Sequence, residues 1–375
     1  MFLASREIRR ARLRFGLLAG AIGLLIFLVF FQQTLLSSLL NSFTGALRNQ
    51  SATVLVYSSE ARKSLEGSVL SPDVVAQVGK VEGVGQAGPL GQATLTFLAN
   101  GDQVDVAVIG SEPGQPGQPT KLIEGRLANA PGEGVASSED KNKGFAIGDT
   151  VTTAAGGAPV TIVGLTKQSQ FSVQPTLFVT FDTYTTLRKA ANPDATAVLP
   201  SAVAVIPAAG VTPQTVAASI NATVPGVDAM TRSDAVANAP GVSSVQSSFA
   251  IVLALAVAVV ALVTGFFFLI LTVQKTASLT LLHAVGAPAV YLVRGLLQQV
   301  ALVLTVALVF AIALLMAATA GSSSGLPLTI EPGALITSTI VIVVLSLLGV
   351  AFSIWRVLRL DPVRAVSRQG LGGVE

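Results

Sequence analysis
The sequence predicts a membrane protein of four transmembrane α-helices with a mixed α+β extracytoplasmic domain inserted between helices 1 and 2. Three observations predict it. The 375 residues are 51% hydrophobic and only 11% charged, against about 25% charge in an ordinary soluble domain. Four long apolar blocks contain no Asp, Glu, Lys or Arg. Between the first and second block lies a polar stretch punctuated by Gly and Pro, of roughly 200 residues, long enough to bury its own core.

The apolar blocks come first. Phe15 to Phe31 is unbroken, and Gln32 to Leu40 can carry the helix through the interface. Phe249 to Val273, Leu296 to Ala318 and Leu335 to Trp355 are the others. A helix rises about 1.5 Å per residue and needs about 20 residues to cross the hydrocarbon, so each block can span. No small-x-small cleavage site follows the first block, where the sequence reads "FFQQTLLSSLLNSF", so we read it as a retained anchor.

Orientation follows from the basic residues flanking the spans. Arg6, Arg9, Arg10, Arg12 and Arg14 precede the first span, with Glu7 the one acid among them. Lys275 and Arg294 lie between the second and third spans, and Arg356, Arg359, Arg364 and Arg368 follow the last. These segments are therefore cytoplasmic, and so are both termini. The expected layout is a basic amphipathic segment 1–14, a span 15–40, an outer domain 41–248, and a span 249–273. A short cytoplasmic helix 274–294, a span 295–318, an external loop 319–334, a span 335–355 and a cytoplasmic tail 356–375 complete it.

The outer segment has strand-like runs between turn signals: Ala52–Ser58, Ala93–Ala99, Val104–Gly110, Pro159–Thr166, Thr176–Asp182 and Ser201–Pro207. Two stretches resemble each other, "SPDVVAQVGKVEGV" from Ser71 and "TPQTVAASINATVPGV" from Thr212. Each offers a Ser or Thr cap, Pro at the first helical position and a short helix ending near Gly-Val. A duplicated helix–strand unit, or a chance likeness of two capped helices, would account for the pair.

The chemistry is sparse. Without cysteine and with His283 as the one histidine, thiolate chemistry and His-cluster metal sites are excluded. "GVGQAG" (83–88) matches a dinucleotide fingerprint, but Pro89 follows it and a helix pattern precedes it, the reverse of what that motif requires. "GSSSG" (321–325) matches a nucleophile elbow, yet the histidine lies across the membrane, and a hairpin between spans is the plainer reading. No Walker A sequence is present. "GLLAG" (16–20), with Gly23 one turn on, suits the close approach of another helix. The spans carry no ionisable residue of the kind ion-coupled carriers use. Gln298, Gln299, Thr264 and Thr272 are their polar members, read as helix-packing groups. We expect no enzyme and no resident cofactor or metal; the energy source should be a partner.

Two local sequences then bear a resemblance. "LTLLHAVGAPAVYLVRGLLQQVALVL" from Leu279 resembles the segment between the second and third spans of FtsX/MacB-type ABC-transporter permeases, with Leu281, Leu282, Ala284, Gly286 and Ala287 matching. "LRLDPVRAV" (358–366) resembles their closing segment, and the basic start "REIRRARLRF" resembles shorter DevC-like and haem-exporter-like members. The chain departs from the pattern at "KTAS", where only Lys275 remains of a basic–basic–Glu cluster, at His283 in place of Arg, and at Gln299 in place of Glu.

The resemblance implies a bacterial plasma-membrane permease subunit of the mechanotransmission type, with ATP held by a separate cytosolic ATPase and a second permease copy completing a homodimer. The segment 274–294 would be the coupling helix, with Leu281, Leu282, His283, Val285 and Gly286 docking the ATPase. The work would be export or extraction of a lipid, drug or haem at the outer face. Phe27, Phe30, Phe31 and Phe43 would line a hydrophobic substrate face, or simply contact membrane lipids; Tyr57 and Met230 are candidate haem neighbours. No nucleic-acid partner is expected. The alternative is a membrane-anchored sensor or scaffold whose outer domain regulates an extracytoplasmic partner without transport.

Overall fold
The structure is a computed structural model describing residues 12–284, 289–320, 328 and 330–358. It divides into two compact units. One comprises Met1–Ser37 with Ser247–Glu375, the other Ser38–Gln246. Among the described residues four helices are long and apolar enough to cross a membrane: α1 (Arg12–Arg48), α6 (Val242–Ala284), α7 (Ala289–Ala320) and α8 (Pro332–Leu358). Residues 12–37 of α1 belong to the first unit and the rest to the second.

The helix ends differ from the expected spans. α1 continues past Leu40 to Arg48, because no Pro interrupts it and its polar positions Thr34, Ser37, Ser38, Asn41 and Ser42 are buried on one side. α6 starts at Val242, directly after Pro240-Gly241, rather than at Phe249. It also runs unbroken to Ala284, so residues 274–284 prolong the α6 helix instead of starting a separate one. No Gly or Pro lies between Gly265 and Gly286 to stop it.

The outer unit is built on β1 (Val54–Ser58), α2 (Pro72–Val78), β2 (Val84–Ala99), β3 (Asp102–Ser111), β4 (Leu122–Gly125) and β5 (Glu133–Ser137). β6 (Thr150–Thr153), β7 (Pro159–Thr166), β8 (Thr176–Thr180), α3 (Phe181–Ala191), β9 (Ala202–Pro207), α4 (Pro213–Thr223), β10 (Val227–Thr231) and α5 (Arg232–Ala237) follow. The strands form one mixed sheet in the order β10-β1-β9-β2-β3-β8-β5-β7-β4, with β6 bridging β2 and β7.

The two similar stretches found in the sequence become α2 and α4. β1-α2-β2 and β9-α4-β10 are two split βαβ units whose strands interleave as β10-β1-β9-β2, each antiparallel to its neighbour. This is the ferredoxin-like arrangement. Both helices cover the same face of the sheet. Val78 of α2 and Val216, Ala217 and Ile220 of α4 pack with Val54, Val56, Val203 and Val205. The alternate residues Leu55, Tyr57, Ala202 and Ala204 point to the opposite face and meet Ala46 and Leu47 of α1 with Phe171 and Phe178. A strand buried on both faces shows no polar alternation, which is why β1 and β9 read as continuous apolar runs. The caps differ in detail: Thr212 accepts from the Thr215 N–H at 3.2 Å, whereas Ser71 makes no side-chain cap bond.

The chain between β2 and β9 forms the second half of the sheet. Its core joins Leu95, Phe97, Val106, Val108, Phe145, Val160, Ile162, Leu177 and Leu187. Gly91 and Gly110 sit opposite each other on β2 and β3, and the Tyr184 ring of α3 lies on both, so a side chain on either glycine would collide with it. The Tyr184 hydroxyl donates to the Gln92 carbonyl at 3.0 Å. In the "GVGQAG" stretch Gly83, at φ 88°, makes the turn and residues 84–88 begin β2, so no helix starts there.

Candidate functional site
In the membrane unit, α1 is packed along one side. Phe15, Leu18, Ala19, Ile22, Ile26, Val29 and Phe30 are buried with Val300, Val303, Leu304, Ala307 and Ala311 of α7 and with Val260 and Phe268 of α6. These positions on α1 recur three and four residues apart, the spacing of one helix face. Gly23 lets α7 approach: a methyl there would lie 2.8 Å from a Phe310 ring carbon and 2.9 Å from the Ala307 carbonyl. Gly265 and Gly349 bring α6 and α8 together, and a methyl on Gly349 would reach within 3.4 Å of the Ala261 carbonyl. Small residues at such crossings are what lipid-embedded helices use to fit.

Gly16 and Gly20 have nothing within 4 Å of where a methyl would stand. With Leu13, Leu17, Ala21 and Leu24, and Phe310 of α7, they line an open apolar groove of about 670 Å³. Of the glycines in and beside "GLLAG", therefore, Gly23 makes the helix contact and the other two face outward.

The polar members of the spans are mostly handled locally. Thr264, fully buried, returns its hydroxyl to the Val260 carbonyl at 2.7 Å, and Thr34 does the same to Phe30 at 2.8 Å. Gln32 reaches the Phe249 carbonyl at 3.3 Å. Gln299 is buried and Gln298 half-buried; the Thr272 side chain lies outside the described residues.

The sequence-predicted substrate face is not one surface. Phe30 is buried inside the helix bundle, while Phe27 and Phe31 pack against that core with their ring centroids 5.8 Å apart. Phe43 belongs to the outer unit, half-buried. Tyr57 and Met230 are both inside the outer-unit core. Both side chains are buried, and burial pushes the Tyr57 hydroxyl well above its ordinary pKa. Of the expected docking residues, Leu281, Leu282 and His283 lie on the last turn of α6, with side chains outside the description. Val285 and Gly286 lie outside the described residues, as do most of 1–14 and 359–375, the "GSSSG" loop, and "LRLDPVRAV" beyond Leu358.

The sequence reading missed where the outer unit receives its chain connections. Arg232, the first residue of α5, donates its backbone N–H to the Thr53 carbonyl at 2.8 Å and its guanidinium to the Gln50 carbonyl at 2.6 Å. The entry of the chain from α1 is thus tied to its exit towards α6. Asn49 and Thr120 join the same junction, the Thr120 N–H and hydroxyl meeting the Asn49 carbonyl at 2.8 and 2.9 Å. No sequence signal links positions so far apart. Asp140 is buried nearby in sequence to β5, and burial raises its carboxyl pKa against the pull of Lys143. On the rim, Glu133 is held by the Arg126 guanidinium and by the Asn129 and Ala130 amides, which lower its pKa to about 2. Among the described residues no group of three or more His, Cys, Asp or Glu could hold a metal ion.

The chain as a whole is similar to known proteins. Residues 15–223 match the MacB-like periplasmic core domain. The chain is 22% identical, over its full length and that of the relative, to the "Putative hemin transport system permease protein HrtB" of Staphylococcus haemolyticus. It is 21% identical to the protein of the same description in Staphylococcus epidermidis, across 98% of this chain and 99% of that one. Among solved structures, the periplasmic region of MacB from Actinobacillus actinomycetemcomitans aligns with 13% identity and a TM-score of 0.37, covering 50% of this chain and 92% of that one. The extracellular domain of the noncanonic ABC-type transporter YknZ from Gram-positive bacteria aligns with 16% identity and a TM-score of 0.34, covering 48% and 100%. With four membrane-spanning helices and an outside domain after the first, this multi-pass plasma-membrane protein belongs to the MacB-like periplasmic core domain family and is an ABC-transporter permease of the FtsX/MacB type.

Proposed function
We propose that the chain couples a separate cytosolic ATPase to the export or extraction of a hydrophobic substrate at the outer face, with haem the first candidate. The observation that carries this reading is the end-to-end match to relatives described as hemin transport permeases. The packing supports it. Ile22, Ile26, Val29, Val300 and Ala307 fill the interior of the membrane unit, and a filled apolar interior suits work done on a membrane-dissolved molecule rather than passage of a solute through the chain.

In this reading both termini are cytoplasmic and the ATPase docks around Leu281–Gly286, at the end of α6 and just beyond it. A second copy of the chain completes the complex, and the open Gly16–Gly20 face is where another helix can approach closely. The test is a deletion strain challenged with haem and, separately, with an unrelated hydrophobic compound. Expected are hypersensitivity and intracellular accumulation of haem, reversed only when this chain and its ATPase are both supplied. Equal tolerance of both compounds in deletion and parent strains would overturn the transport reading and leave the sensor or scaffold.

A further inference from the structure
We propose that Arg232 is a positioning residue, a clasp that makes the outer unit's entry from α1 and its exit to α6 one mechanical element, and that the permease transmits motion through it. The role in transmission rests on the permease reading above; the clasp itself does not.

Residues 49–53 join α1 to β1 and belong to neither. A connecting segment is ordinarily the mobile part of a fold. Here each of its residues is held. The loop before β4 holds part of it. The Asn49 carbonyl accepts from the Thr120 N–H and hydroxyl, the Ser51 N–H donates to the Gln118 carbonyl at 2.9 Å, and the Ser51 hydroxyl accepts from the Gly117 N–H at 3.0 Å. The Thr53 N–H donates to the Val205 carbonyl of β9 at 3.0 Å. Arg232 holds the rest, taking the Thr53 and Gln50 carbonyls and standing 3.5 Å from that of Ala52.

The geometry explains why an arginine does this. β1 and β10 pair as far as Val54 with Thr231. One residue further on, the Arg232 N–H still meets the Thr53 carbonyl as a ladder bond would, although Arg232 already starts α5. The backbone has left the sheet, so β10 has no residue to offer Gln50. The guanidinium takes the strand's place and reaches the Gln50 carbonyl at 2.6 Å. It carries its donors on a planar fork and keeps its charge at any ordinary pH, and a charged donor makes the stronger hydrogen bond.

The same residue leads into the exit. The Asn238 N–H and side-chain amide both donate to the Asp234 carbonyl of α5 at 2.8 Å. The Val242 N–H, at the start of α6, donates to the Ala239 carbonyl at 3.1 Å, and the Val242 side chain is buried. The last residues of α1 and the first of α6 therefore share one anchor, inside one compact unit. Motion is carried by hydrogen-bonded and rigid elements, not by segments that absorb it. Both helices run without interruption, Arg12–Arg48 and Val242–Ala284, so a displacement of either reaches the clasp.

The test is residue-resolved hydrogen exchange on the full chain in lipid nanodiscs, comparing the wild type with Arg232→Met, which keeps an unbranched stem and removes the donors. Expected is exchange at the Ser51 and Thr120 amides faster by at least about tenfold, with the amides of residues 106–108 in β3 unchanged as the fold control. Wild-type exchange at Ser51 and Thr120 would overturn the clasp. Should residues 106–108 also lose protection, Arg232→Lys, which keeps one donor but not the fork, decides. Exchange at Ser51 and Thr120 faster by at least about threefold would then support the clasp, and wild-type exchange would overturn it.

This measurement needs neither ATPase nor substrate, so a failed permease reading shows separately, as absent export by the wild type. Where the wild type exports, Arg232→Met should export at least about tenfold less while its ATPase continues to hydrolyse ATP, with Arg232→Lys between the two. Unchanged export with a loosened lead-in, or loss of hydrolysis together with export, would overturn the role in transmission.

Discussion

The outer unit and the membrane unit are equally apolar at their centres but opposite at their surfaces. In the outer unit the large side chains are inside, and β1 and β9 are buried on both faces. In the membrane unit large apolar side chains lie inside and outside alike: Ile22, Ile26 and Phe268 are buried, with Thr264 and Ser346 among them, while Ile251 is 71% and Leu17 68% exposed. The difference teaches which force holds each. Water drives the outer core together through the hydrophobic effect. Lipid does not distinguish Leu from its own tails, so the helices are held by fit and by local hydrogen bonds.

The same truncation in the two units puts that contrast to its hardest test. Leu55→Ala removes a fully buried side chain from the outer sheet and should cost about 2–5 kcal/mol. Leu255→Ala removes one that is 65% exposed and should cost less than about 0.5 kcal/mol. Thermal unfolding of the full chain in detergent would report both, and equal losses would break the comparison. Overfilling gives a smaller effect. Gly110→Val displaces Tyr184 from its seat on the two paired glycines and should destabilise the outer unit by about 1–3 kcal/mol, visible as a lower midpoint in the sheet signal. Gly23→Val should destabilise the membrane unit by about 1–2 kcal/mol, since it meets Ala307 and Phe310, whereas Gly16→Val on the open face should be close to neutral. Comparable losses at Gly16 and Gly23 would show that the groove is filled.

The smallest effect is electrostatic. Arg126 and two amides lower the Glu133 pKa from 4.5 to about 2. A depressed carboxylate stabilises the fold above its unfolded pKa and loses that contribution as pH falls. The outer unit should therefore lose a little stability between about pH 4.5 and 2 that Glu133→Gln lacks already at neutral pH. The pair sits at the surface, where screening keeps its worth small. Denaturant midpoints of both proteins across that window would check the sign.

Much of this was legible in the sequence because its signals are local. Charge-free runs marked the spans, and the Pro-capped stretches after Ser71 and Thr212 foreshadowed the duplicated βαβ units. What the sequence hid depends on register and distance. The pairing of Gly91 with Gly110 requires knowing how β2 meets β3. The Val173 N–H meets the Ser42 carbonyl, and Arg232 reaches back to Gln50, across separations that no periodicity encodes. The helix ends were missed for a simpler reason: hydropathy reports where lipid begins, whereas α1 and α6 continue as long as nothing breaks their backbone. The phenylalanine face was a composition argument, and the bundle turned Phe30 inward.

The most direct measurement is ATP hydrolysis by the purified chain together with the ATPase that co-purifies with it, in nanodiscs, with and without haem. Expected are a stable complex and hydrolysis that rises with haem, with Leu282→Asp abolishing the association. A chain that retains no ATPase, or a complex whose hydrolysis ignores every hydrophobic compound offered, would contradict the coupling of this permease to a hydrophobic substrate.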